Sequence, residues 1–218
     1  MAVDQITIWN MSLSHVGVSN DVQSLTETSA EAAACVRFYD AARQEMLQAG
    51  RWPFATTTAA LAQVATNPTQ EWAFSYRYPA DALFLHRILG TVRNESRKDR
   101  VPYRVQSDTA GRLIYTDWQD LTYGTLCEYT KDVTDPSQFD PAFAQALALL
   151  LASYIGARIT SGDPLKFAQR ATQLKVQAMD VARLYANNEE QPEMLPESEF
   201  ITSRDGTTTG RGPSSPFS

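Results

Sequence analysis

Four groups of residues in this chain have types that do chemistry in other settings. The carboxylates Glu189-Glu190 and Asp117 to Asp120 invite an acid-base reading, such as paired carboxylates acting on a glycan. Both pairs sit in polar, turn-like surroundings, where solvated loop positions explain them. His15 lies in a helical pattern and His86 in a largely apolar run, and neither has a second histidine at ligand spacing, so no metal site is expected. Cys35 and Cys127 lack Cys-x-x-Cys spacing and a local histidine, which reads as two buried thiols. A Gly-x-Ser-x-Gly elbow, a phosphate loop and a dinucleotide glycine pattern are all missing, and the glycines are scattered through turns. The residues support no catalytic centre and no cofactor, and the expectation is that the chain is not an enzyme.

The fourth group is electrostatic. From Arg87 to Arg104 the chain carries Arg87, Arg93, Arg97, Lys98, Arg100 and Arg104 against Glu95 and Asp99, a local balance of +4 in a chain of net charge −6. Arg93, Arg97, Lys98 and Arg100 are the candidate contacts of a basic loop facing a neighbouring subunit, the tail or passing DNA. No aromatic residue is interleaved from 93 to 100, which argues against stacking on single strands. The overall acidity argues against nucleic-acid binding by the chain as a whole.

The elements that must position these residues are legible from their boundaries. Asp4 caps a first helix that stops at Gly17, with Ile6, Trp9, Leu13 and Val16 on one face. Thr28-Ser29-Ala30-Glu31 reads as a capping box opening a second helix, whose Cys35, Phe38, Tyr39, Ala42 and Met46 form a core face and whose stop is Gly50. Trp52-Pro53 then turns the chain to sheet. From Trp72 to Tyr78, aromatics at 72, 74, 76 and 78 alternate with Ala73, Ser75 and Arg77, the period of a strand, and Pro79-Ala80-Asp81 ends it. Tyr103 to Gln106 and Arg112 to Thr116 flank Asp108-Thr109-Ala110-Gly111 as a β-hairpin, and a last strand runs from Leu121 to Thr130.

Asp140-Pro141 and Asp163-Pro164 each place an acidic cap before a proline at the first helical position, opening two more helices. Pro141 to Ala157 carries no formal charge, yet a helix of that length reaches only about 25 Å, and a central buried helix is expected rather than insertion in a membrane. The fourth helix, to about Asn187, has Phe167, Ala171, Leu174, Ala178, Val181 and Tyr185 on its core stripe and Lys166, Arg170, Lys175 and Arg183 for solvent or a neighbour. Beyond Asn188 the composition shifts to proline, glycine, serine and threonine, too poor in apolar area to fold alone. Such a segment is either a disordered end or an arm that folds onto a partner; the expectation is an arm ordered by other chains, with Leu195, Phe200, Ile201 and Phe217 as candidate anchors.

At 218 residues, 43% hydrophobic and 20% charged, the chain suits one core with a smaller lobe and a tail. The expected class is α+β: a four-helix bundle core (1–52 and 134–187), a β-rich insertion between helices 2 and 3 (53–133), and an extended C-terminal arm (188–218). No N-terminal stretch pairs a positive start with an apolar run, which points to a protein made and kept in a cytoplasm.

The order Tyr39-Asp40-x-x-Arg43-x-x-x-Leu47, then Trp52 to Thr56, then Trp72, Tyr76 and Tyr78-Pro79-Ala80-Asp81 resembles the head-to-tail adaptors of tailed phages, the tail tubular protein A group. The resemblance implies a structural virion protein at the head-tail junction. About twelve copies would close a ring between portal and tail nozzle or tube and frame a channel through which DNA passes. It also implies that the C-terminal segment engages the portal, through Leu195, Phe200, Ile201, Arg204, Arg211 and Phe217. A ring further down the tail, acting as stopper or completion protein, is the structural alternative. A peptidoglycan hydrolase using the exposed carboxylates is the enzymatic one, and a monomeric binding module with a linker tail is the third.

Overall fold

The computed structural model describes residues 3–65, 71–90, 100–122, 124–159 and 164–189, with side chains left out at 164–168 and 185–189. Helices α1 (Gln5–Val16) and α2 (Ala30–Ala49) are followed by strands β1 (Thr56–Ala60), β2 (Phe74–Arg77), β3 (Ala82–Ile88), β4 (Tyr103–Asp108), β5 (Gly111–Thr116) and β6 (Leu126–Lys131). Helices α3 (Pro141–Ile159) and α4 (Pro164–Glu189) complete the order.

Local signals account for most boundaries. The Asp4 carboxylate accepts the Thr7 amide at 2.7 Å, and Gly17 ends α1 with φ 87°, a conformation that costs a residue with a Cβ. The cap of α2 is Ser29 rather than Thr28, its hydroxyl accepting the Ala32 amide at 3.2 Å. Gly50 ends α2 in extended backbone, φ −136°, and not in the left-handed form of a glycine stop. Its requirement is space, since a Cβ there would lie 3.2 Å from the Trp52 ring and 3.3 Å from the Ala182 carbonyl oxygen of α4.

The six strands form two small antiparallel sheets, ordered β1-β6-β3 and β2-β5-β4. The expected hairpin is β4-β5, in register from Tyr103↔Thr116 to Asp108↔Gly111. The aromatic strand is shorter than its alternation suggests, Phe74–Arg77, but Tyr76 and Tyr78 do point into a shared core, together with half-buried Phe74. The last strand starts at Leu126 rather than Leu121, because the chain turns at 121–122 and Gly124 has φ 78°. After β1 the chain pairs across to the other sheet: Gln63 bridges Tyr76, and the Arg77 amide donates to the Ala62 carbonyl at 2.8 Å. Leu61, Tyr76, Leu85, Ile88, Ile114, Cys127 and Tyr129 close a core between the sheets.

The four-helix bundle with a β-rich insertion is overturned. The described residues form four helices and two three-stranded antiparallel sheets, an α+β mixture without a clear four-helix bundle core. The physical reason is α3. It is apolar nearly all round, with Phe143, Leu147, Leu150, Leu151 and Ile155 fully buried, so α1, α2 and α4 each pack on it instead of completing a ring with one another. Its length and composition would suffice to span a membrane, and in this fold ten of its residues are buried within the protein. The β region is not hung on the helices as a separate insert either. Trp52, Ala55 and Val133 at its two ends belong to the helical core, and Leu83 of β3 packs against it. The arm from residue 190 onward lies outside the described residues.

At the centre of the helical core is an aromatic cluster. Phe143 of α3 meets the rings of Trp52, Phe54 and Phe139 at 5.0, 5.1 and 4.7 Å, all edge to face. The Trp52 indole N–H donates to the Met46 carbonyl at 2.9 Å, satisfying one of the orphan acceptors in the last turn of α2. The Trp52-Pro53 pair therefore both stops the helix and seals its end.

Candidate functional site

Between the helical core and the sheet core runs a polar seam. Period-two alternation in β6 sends Cys127 and Tyr129 to the inter-sheet core and leaves Glu128 and Thr130 on the opposite face, both buried. Arg51, just past α2, and Arg87 of β3 both donate to the Glu128 carboxylate, Arg87 at 2.7 Å. Burial pushes the Glu128 carboxyl up, but the hydrogen bonds from Arg87 and Arg51 outweigh it, and the group sits below its ordinary range. Next along the strand, Thr130 hydrogen-bonds His86 at 2.8 Å. At the end of β6, Arg43 of α2 donates to the Asp132 carboxylate and to the Val133 carbonyl at 2.8 Å, while Gln44 donates to Asp132 at 3.1 Å. The two buried charges of the seam, Glu128 and Arg43, are thus each paired with a partly exposed opposite charge.

The motif residues that carry the resemblance cluster at this seam and on either side of it. Tyr39 and Leu47 are buried in the helical core, Arg43 crosses the seam, Trp52 anchors the aromatic cluster, and Tyr76 donates its hydroxyl to the Trp118 carbonyl at 3.2 Å. Asp81 accepts the Tyr129 hydroxyl at 3.1 Å. They are framework positions.

The second feature is a cleft of about 430 Å³ between α3 and α4. Amphipathic α4 buries Leu174, Ala178 and Ala182 against α3 and leaves Val176 and Leu184 54% and 65% exposed. The cleft lies along this seam of helices, lined by Tyr154, Ala171, Val176 and Met179 with Lys175, Asp180 and Arg183, the last two 3.8 Å apart. Lys175 pairs with Glu45 at 2.8 Å, a bond that raises the ammonium pKa, and the Tyr154 hydroxyl donates to the same carboxylate. A second, more polar hollow of about 660 Å³ lies between α1 and the start of α3, lined by Asn10, Ser14, His15 and Gln145.

Among the sequence-selected residues, Arg93, Arg97 and Lys98 of the basic loop fall outside the described residues, as do Leu195, Phe200, Ile201, Arg204, Arg211 and Phe217 of the arm. Arg100 is described and exposed. The ends of the basic run are engaged elsewhere, Arg87 with Glu128 and Arg104 with Glu71 at 3.3 Å, so the charge at the flanks is offset by acids outside the run. Asp117 accepts the backbone amide of Ala73, 44 residues away, and Asp120 accepts that of Thr122 in a local turn. His15 and His86 sit in different halves of the fold, the first on α1 and the second in the seam. Both thiols are fully buried, and desolvation pushes Cys35 up to about 12 and Cys127 up to about 11. Among the described residues no three His, Cys, Asp or Glu side chains gather as metal ligands.

The seam and the cleft were not singled out from the sequence. Glu128 looks like a polar residue in an alternating strand, and nothing local shows that its two partners come from 77 and 41 residues away. The cleft had a partial signal in the basic outer positions of α4. No protein-family model matches this chain, and no curated protein matches it significantly.

Proposed function

We propose that this chain is a structural virion protein, an adaptor subunit that joins a phage portal to its tail and frames part of the DNA channel in a ring of about twelve copies. The observation that carries the reading is the placement of the motif residues. Tyr39, Leu47 and Trp52 are buried in the helical core, Tyr76 is buried between the sheets, Asp81 accepts the Tyr129 hydroxyl, and Arg43 reaches from α2 to Asp132 and Val133, so the motif residues are framework positions, which is how a resemblance of architecture is expected to present itself. A ring subunit contacts its neighbours through two different faces, and the basic loop around Arg100 and the acidic C-terminal segment supply opposite charge for such contacts. The arm residues Leu195, Phe200, Ile201, Arg204, Arg211 and Phe217 are assigned to the portal, and Arg93, Arg97, Lys98 and Arg100 to the neighbouring subunit, the tail or passing DNA.

Mass photometry of the full chain mixed with its portal tests this. A discrete near-stoichiometric ring added to the portal is the expected result, reduced when the chain is stopped after Asn187. Full-length protein that adds no mass to the portal overturns the adaptor assignment.

A further inference from the structure

The helical core and the sheet core are separate clusters. We infer that they are two bodies hinged at a narrow neck, the sheet half pivoting on the helical half when the seam between them is unlatched. Each half is tied within itself. In the sheet half Gln63 bridges Tyr76, the Leu61 amide donates to the Thr125 carbonyl at 2.8 Å, and the Tyr103 hydroxyl donates to the Leu85 carbonyl at 3.1 Å, so both sheets close on one core. In the helical half α1, α2 and α4 share α3. The chain enters the sheet half from α2 into β1 and leaves it from β6 toward α3, and these two crossings are neighbours, since Thr56 at the start of β1 pairs with Thr130 near the end of β6. Two adjacent strands turn about one line, and element ends of this kind are where hinges form.

At the neck the hold is firm. Trp52, Ala55 and Val133 are buried in the helical core, and Arg43 fixes the Asp132 carboxylate and the Val133 carbonyl. Past the neck the hold is thin. Among the described residues Leu83 is the one apolar side chain beyond the neck that packs on the helical core, and it sits at an irregularity of β3, whose pairing with β6 skips from Ala82 to Phe84. The polar tie is Arg51 to Glu128, with the arginine 34% exposed, so water can replace it at the open end. Arg87 binds the same carboxylate from within the sheet half. When Arg51 lets go, Glu128 therefore keeps a partner, and opening leaves no buried charge unpaired. A boundary of one aliphatic contact and exchangeable ion pairs resembles those between domains, for which relative motion is the expected behaviour. The pivot needs no portal, so its failure and that of the adaptor assignment are separate results.

Pulsed spin-label distance measurement on the full chain tests the pivot, since both native thiols are fully buried and escape labelling. Val36→Cys on α2 with Leu121→Cys in the turn before β6 spans the neck. Val36→Cys with Leu184→Cys stays within the helical half and Val105→Cys with Leu121→Cys within the sheet half, all at exposed positions. The spanning pair is expected to gain a second population, displaced by several ångströms, when Arg51→Gln and Leu83→Ala together release the latch, while the two pairs within halves keep their distances. A spanning distance that the release leaves unchanged overturns the proposal. Distances within the halves that broaden along with the spanning one also overturn it, by showing that the halves loosen instead of turning.

Discussion

Replacing Glu128 with glutamine probes the seam most directly. The Glu128 side chain is 10% exposed and its oxygens take hydrogen bonds from Arg51 and Arg87, which are themselves about a third exposed, at 34% and 36%. A hydrogen bond to a charged group contributes about 1.5–3 kcal/mol when sheltered. Solvent screening at the arginine ends brings each to about 1 kcal/mol, and Glu128→Gln is expected to cost about 2 kcal/mol at pH 7. In a protein of this size that is a fall in Tm of about 4–8 °C. The pH dependence carries the sign. The folded carboxyl lies below its unfolded value, so its stabilisation is full above about pH 5 and is lost as pH falls through the folded pKa. The gap between wild type and Glu128→Gln, read by urea denaturation followed through tryptophan fluorescence, is therefore widest near neutrality and narrows below about pH 4. A gap under about 0.5 kcal/mol at pH 7, or one that stays constant down to pH 3, would refute the claim that a paired carboxylate holds the seam.

Gly50→Ala should lower stability by about 1–3 kcal/mol in the same denaturation assay, because its Cβ meets the Trp52 ring and the α4 backbone at 3.2–3.3 Å. An unchanged midpoint would mean that α4 shifts freely against the end of α2. Tyr39→Phe should be neutral or raise the unfolding free energy by up to about 1 kcal/mol. The buried Tyr39 hydroxyl has no hydrogen-bond partner among the described residues, and burial pushes its pKa up to about 12. A loss above about 1 kcal/mol would reveal a partner for that hydroxyl.

Helix starts and the hairpin were readable because each is a local event. Asp4, Ser29 and the Asp140-Pro141 pair act within a few residues of themselves, and the β4-β5 turn brings its own glycine. What the reading missed was assembly. The uniform apolarity of α3 marked it as buried but could not say that three helices would each choose it over one another, which is what dissolves the expected bundle. Nor does Gly50 reveal from sequence whether it serves a left-handed turn or a close approach; the Trp52 ring two residues on decides it. The seam was illegible for the same reason, since Arg43, Arg51 and Arg87 find their acids on β6 or just beyond it, 41 to 89 residues away. The basic run was legible as charge, but not that Arg87 faces inward to a buried glutamate.

The choice of α3 as the common support also dictates an order of events at the ribosome. Helices α1 and α2 are made first, yet the surface that covers Ile8, Trp9, Leu13, Tyr39 and Met46 is completed only when α3 has emerged, about a hundred residues later. At typical rates of synthesis that is an interval of about 5–20 s in which two amphipathic helices wait with their apolar faces uncovered. The nascent chain is thus most vulnerable to misassociation in its first half, and a helix about two-thirds of the way along the chain is what makes that half safe.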